Sequence, residues 1–120
     1  MAGTTVLVVD DARTYRKVIC NVLNTLGCQV VGEAENGEQA LSLYKRLVPD
    51  LVLLDIIMLA MNGIYTLRAL LAQNPRAKVI MCTTVDNKEV IEDCLMAGAV
   101  DYICKDKLDE IPARLHPYLK

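Results

Sequence analysis

TVLVVDD, residues 5–11, is the stretch on which the fold turns. Its apolar run from Val6 to Val9 closes abruptly on two adjacent carboxylates, Asp10 and Asp11. LVLLD, residues 51–55, repeats the pattern: Leu51 to Leu54 close on Asp55. Short apolar runs with a polar stop read as strands, so two strands deliver three acids to one edge of a sheet. Carboxylates packed together repel, and at least one stays protonated unless a metal or a basic group neutralises it. Hard oxygen ligands of this kind suit Mg2+ or Mn2+.

Outward from these runs, strand-like segments alternate with segments of helical period, which predicts a parallel sheet joined by crossover helices. Strand one is Thr5 to Val9, and the helix after it sets Tyr15, Val18, Ile19, Val22, Leu23 and Leu26 on one face before a stop at Gly27. Strand two, near Val30 to Ala34, leads to Asn36 as N-cap of a helix that buries Ala40, Leu41, Tyr44 and Leu47 before Pro49. Strand three, Leu51 to Leu54, is apolar at consecutive positions, as expected of a central strand covered on both faces. Ile64, Leu67, Leu70 and Leu71 stripe a third helix ending before Pro75, and Val79 to Cys82 is strand four. Asp86 followed by Glu89 reads as a capping box for a helix with Val90, Ile91, Cys94 and Leu95 inward and Gly98 as its stop. Strand five is short, Tyr102 to Cys104; in the final helix Pro112 suits a first turn, while Pro117 interrupts any longer run.

A chain of 120 residues with 53% hydrophobic content fills one core, so the expectation is one domain over residues 1–120. The net charge is -2, and Lys and Arg are scattered without forming a basic stripe, which argues against direct binding of nucleic acid or anionic lipid. Five cysteines with no C-x-x-C pair suit neither a disulfide framework nor a zinc cage, and buried free thiols in a reducing cytoplasm are expected. The start Met1-Ala2-Gly3 shows no secretory signal, and Leu51 to Met61, interrupted by Asp55, is far below the roughly 18 residues of a membrane span. A soluble cytoplasmic protein is the expectation.

In an open parallel sheet, ligands bind outside the carboxyl ends of the strands, where strand order reverses. Asp10 and Asp11 follow strand one, Asp55 strand three, Thr83 and Thr84 strand four, and Lys105 strand five. Acids, a hydroxyl and an ammonium at one edge can hold a metal and a phosphoryl group together. With this pattern the whole chain resembles a CheY-like receiver domain of the two-component response regulators. The matching pieces are V-V-D-D at Val8 to Asp11, L-V-L-L-D at Leu51 to Asp55, M-x-x-M-N-G at Met58 to Gly63, I-M-C-T-T at Ile80 to Thr84 and A-G-A-x-D-Y-I-C-K at Ala97 to Lys105. Their order and spacing together are specific.

The resemblance implies a doubly wound five-stranded parallel α/β sheet of flavodoxin-like order 2-1-3-4-5, with helices on both faces. It implies Asp55 as phosphoacceptor, and Asp10, Asp11, Asp55 and the backbone carbonyl of Ile57 as holders of Mg2+. Lys105 and the Thr83 hydroxyl would each meet a phosphoryl oxygen. Thr83 and Tyr102 would form the switch, with helix four, strand five and helix five as output surface. The implied partners are a sensor histidine kinase or phosphotransfer protein and an output protein or effector domain; the chain would catalyse only its own phosphorylation and dephosphorylation. His116, the single histidine, reads as a surface residue and a poor phosphodonor.

The chain departs from the family pattern at three places. Leu59 stands where proline is frequent, Asn62 where aspartate is common, and Asp106 replaces the proline that usually follows the lysine of strand five. A cis bond before a non-proline residue costs roughly 2.5 to 4 kcal/mol, so the Lys105–Asp106 peptide is expected to be trans. Ile57 and Val85 flank the expected path of the hydrolytic water with side chains unable to orient it, which predicts slow self-dephosphorylation. A degenerate receiver serving only as a binding platform has no need to keep Asp10, Asp11, Asp55, Thr83 and Lys105 together. A flavodoxin-like electron carrier needs a hydroxyl- and glycine-rich loop where Asp10-Asp11-Ala12-Arg13 stands, and a haloacid dehalogenase-type phosphatase needs an acid where Ala12 stands.

Overall fold

The structure is a computed structural model that describes residues 3–58 and 62–120. Leu59, and Met61 of the M-N-G piece, lie outside the described residues. The elements run β1 (Thr5–Val9), α1 (Arg13–Thr25), β2 (Gln29–Ala34), α2 (Gly37–Leu47), β3 (Leu51–Leu54), α3 (Gly63–Gln73), β4 (Val79–Thr83), α4 (Lys88–Met96), β5 (Asp101–Cys104) and α5 (Ile111–Leu115). The five strands are parallel in the order β2-β1-β3-β4-β5, as the resemblance implied.

Two cores flank the sheet because successive side chains of a strand point to opposite faces. Leu7, Val9, Val52, Leu54, Val79, Met81 and Tyr102 meet Ala40 and Tyr44 of α2, Leu67 and Leu70 of α3 and Cys94 of α4. Their neighbours Val6, Val8, Leu51, Leu53, Ile80, Cys82 and Ile103 meet Ile19 and Leu23 of α1 and Ile111 and Leu115 of α5. All four residues of β3 are buried for this reason, whereas the edge strand β2 is largely half-exposed. All five cysteines are free thiols. No helix among the described residues is long and apolar enough to cross a membrane.

Several local expectations need correction. Val18 and Leu95 are exposed rather than inward. Each adjoins a fully buried helix residue, Ile19 or Cys94, and one residue along a helix turns the side chain about 100° away from the core. The N-cap of α4 is Asn87 rather than Asp86: its side chain accepts from the amides of Glu89 at 2.9 Å and Val90 at 3.3 Å. The chain after β5 forms a 3₁₀ turn at Lys105–Glu110, then the single α-helical turn and a half of α5, then a second 3₁₀ turn at His116–Tyr118. Pro112 sits in the first turn of α5 and Pro117 is the second residue of the second 3₁₀ turn, each where its missing amide donor costs no helix bond.

Candidate functional site

The sheet ladder itself aims the acids. One rung beyond β1, the Asp10 amide donates to the Ala34 carbonyl at 3.0 Å; one rung beyond β3, the Asp55 amide donates to the Val9 carbonyl at 3.0 Å. The acids are thus fixed at the carboxyl edge of the two central strands, in the crevice between β1 and β3 where the chain switches direction across the sheet. Carboxylate oxygens of Asp10, Asp11 and Asp55 all lie within 4.8 Å of one another. Asp10 and Asp55 are buried and Asp11 is half-buried.

Lys105, from the far end of β5, reaches into this cluster. Its Nζ donates to Asp55 Oδ2 at 2.9 Å and lies 2.5 Å from Asp10 Oδ2, with 4% of its side chain exposed. The Asp10 contact is an ion pair without hydrogen-bond alignment, so this buried oxygen has a charge beside it but no donor aimed at it. Burial pushes the Asp10 carboxyl above its ordinary value, outweighing Lys105 and the Ala12 amide that pull the other way. Burial also works against the Lys105 ammonium, but its contacts with Asp10 and Asp55 overcome that and raise its pKa. The lysine therefore stays charged among the three carboxyl groups. Three carboxylates whose oxygens lie within 4.8 Å of one another, with Lys105 the cation paired to two of them, form a hard oxygen donor set that fits a small dication.

The remaining predicted residues differ in burial and in partners. Thr83 is buried at the end of β4, in register with Cys104 next to Lys105, and its Oγ1 accepts from the Val85 amide at 3.3 Å. Thr84 is exposed. The Ile57 amide donates to Asp55 Oδ1 at 3.3 Å, while its side chain is exposed and that of Val85 is half-buried. Tyr102 is buried, and its hydroxyl donates to the Val85 carbonyl. Burial, then the nearby thiols of Cys94 and Cys104 and the carboxylates of Asp86 and Asp55, push its phenol up to about 12. The Lys105–Asp106 peptide is trans, as expected, and His116 is exposed.

Two residues of α1 belong to the site without having been singled out from sequence. Arg16 donates from Nη1 to the Asp10 carbonyl at 2.6 Å while its Nε pairs with Glu33 at 3.3 Å, tying the acidic loop to β2. The ring of Tyr15 covers Lys105, with Nζ 4.2 Å from the ring centroid. Tyr15 reads from sequence as one more apolar position of an amphipathic helix. The available signal was its place in the first turn of the helix that follows the paired acids. Gly63 is a third contributor: a Cβ there would run into the Asp55 carbonyl, so the start of α3 presses against the backbone of the acid.

Residues 6–116 match the family described as the response regulator receiver domain. Protein CcdB of Bacillus subtilis is 47% identical over 102 residues, covering 85% of each chain. Chemotaxis protein CheY of Thermotoga maritima is 39% identical over 103 residues, covering 86% of each. Among solved structures, a chain of the CheX–CheY–BeF3–Mg2+ complex from Borrelia burgdorferi superposes with a TM-score of 0.92 at 30% identity, covering 98% of this chain and 90% of that one.

Proposed function

The chain belongs to the response regulator receiver domain family of two-component signalling, and from that premise we propose that Asp55 accepts a phosphoryl group and that the α4–β5–α5 face responds to it. The donor is the phosphohistidine of a sensor kinase or phosphotransfer protein, or a small phosphodonor, and the reader is an output protein or effector domain in the cytoplasm. The whole chain, residues 1–120, acts as one receiver domain.

The observation that carries this reading is the convergence of three acids and a buried ammonium at one sheet edge. A carboxylate oxygen of Asp55 attacks phosphorus, the bond from phosphorus to the donor breaks, and an acyl phosphate remains on Asp55. Lys105 and the Thr83 hydroxyl each donate to a phosphoryl oxygen and so offset the charge in transfer. Asp10, Asp11, Asp55 and the carbonyl of Ile57 would hold Mg2+ or Mn2+, which when bound neutralises the charge of the incoming group. The similarity to a chain of a beryllofluoride- and magnesium-containing complex supports the same chemistry here. Tyr102 and Thr83 both contact Val85, the Tyr102 hydroxyl at its carbonyl and Thr83 Oγ1 at its amide, which supports a shared response of the two switch residues.

Incubation with Mg2+ and a small phosphodonor, read by intact mass, should add one phosphoryl group to the wild type and none to Asp55→Asn. Equal incorporation in both proteins refutes Asp55 as the acceptor.

A further inference from the structure

Lys105 pairs with the carboxylates of both Asp10 and Asp55, and these neighbours differ in what the proposed reaction does to them. Asp10 contacts it only through the oxygen that lacks an aligned donor, and that carboxylate is assigned to the metal. Asp55 receives its hydrogen bond, and that carboxylate becomes the acyl phosphate. Both carboxylate contacts are therefore spent or rearranged during phosphorylation. The ring of Tyr15, 4.2 Å from Nζ to its centroid, changes neither charge nor bonding at any step.

The backbone gives Lys105 little independent constraint. It stands at the junction of β5 with a 3₁₀ turn, Asp106 follows it without a proline ring, and Lys107 two residues on has non-helical dihedrals of φ -127 and ψ 50. Tyr15, by contrast, lies in the first turn of α1, a helix of 13 residues anchored to the sheet by fully buried Ile19 and Leu23. A cation over an aromatic face is attracted by the ring quadrupole, most strongly where water is excluded, and the Lys105 side chain is 4% exposed.

We propose that Tyr15 is a positioning residue for the phosphoryl-transfer centre: its ring face holds the Lys105 ammonium at the sheet edge while Asp10 and Asp55 exchange their partners. This rests on the phosphoacceptor reading above. The hydroxyl of Tyr15 has no part in it, since the ring face supplies the attraction.

The test measures beryllofluoride binding in the presence of Mg2+ for the full chain as wild type, Tyr15→Phe and Tyr15→Leu, with Mg2+ affinity measured separately. Tyr15→Phe stays within about twofold of wild type and Tyr15→Leu binds beryllofluoride roughly tenfold more weakly, with Mg2+ affinity unchanged within about twofold in both. A second series, with phenylalanines of increasing ring fluorination at position 15, keeps the shape and weakens the π face; affinity falls with each step. Tyr15→Leu equal to wild type, a flat fluorination series, or equal losses of Mg2+ and beryllofluoride affinity each overturn the proposal while leaving Asp55 as acceptor. A wild type that takes no beryllofluoride overturns both readings.

Discussion

Replacing Gly63 by Ala tests how tightly α3 is pressed against Asp55, the proposed phosphoacceptor. Gly63 opens α3, its amide donating to the Ile56 carbonyl at 2.7 Å, and it lies directly against the Asp55–Ile56 backbone. An added Cβ would collide with the Asp55 carbonyl oxygen and stand 2.5 Å from Ile56 Cα and 2.8 Å from the Asp55 carbonyl carbon. Real Cβ contacts essentially never fall below 3.0 Å, so α3 or the Asp55 segment must retreat by about 0.5 Å at Ile56 Cα and by more at the carbonyl. The obstacles are backbone atoms, which cannot turn aside as side chains do. Overpacking of this kind costs about 1–3 kcal/mol, and a misplacement near 1 Å at a reacting group can slow transfer by around 10²-fold. Gly32→Ala is the matched control. Its added Cβ meets only side-chain ends, Leu47 Cδ1 at 2.9 Å and Leu7 Cδ1 at 3.3 Å, and these can swing away. Urea denaturation and the rate of phosphate incorporation from a small donor are measured on both variants. Gly63→Ala should lose stability and incorporate phosphate far more slowly than Gly32→Ala. Equal rates for the two would falsify the claim that the close approach at Gly63 aligns Asp55.

Three further outcomes are expected. Asp50 accepts from the Thr5 amide at 2.8 Å, which, with Lys120 and the Thr5 hydroxyl, holds its carboxyl below the usual 3.8 against partial burial. Its stabilisation is therefore present above the unfolded pKa and is lost as pH falls from about 4 through the lower folded value. Asp50→Asn should lose about 0.5–1 kcal/mol at pH 7 and converge with wild type in acid; an equal difference in urea midpoints at both pH values would contradict this. Tyr102→Phe removes the donor to the Val85 carbonyl, so amides from Val85 to Asn87 should exchange faster by an amount equivalent to about 1 kcal/mol, and unchanged protection there would count against this bond as a tether of the loop after β4. Ile57→Asn places a polar group beside the acyl phosphate proposed at Asp55 and should shorten its lifetime several-fold; an unchanged decay rate rules out water orientation at this position as the brake.

Most of the strand and helix pattern was readable because each apolar run faces a buried layer. β3 was readable to the residue, since a central strand covered on both faces shows four consecutive apolar side chains and stops at the acid. The helix faces were readable only at their centres, as Val18 and Leu95 show. At α4 both Asp86 and Asn87 have capping side chains, and the choice between them depends on how the loop after β4 leaves the sheet. That exit is held by the contacts of Val85 with Tyr102 and Thr83, which are distant in sequence or invisible in pattern.

The sequence by itself determined the alternation of strands and helices and the identity of the acids, hydroxyl and lysine at strand ends, because burial and turn chemistry act over a few neighbouring residues. Only the tertiary structure decided what surrounds each of them. Lys105 meets Asp55 across 50 residues of chain, while from α1 Arg16 clasps the Asp10 carbonyl and Tyr15 covers the ammonium. The trans peptide after Lys105 was set by local chemistry, yet the place of its side chain was not. A buried charge settles where the fold gathers counter-charges and a π face around it, and that gathering exists only once the sheet has brought its strand ends together.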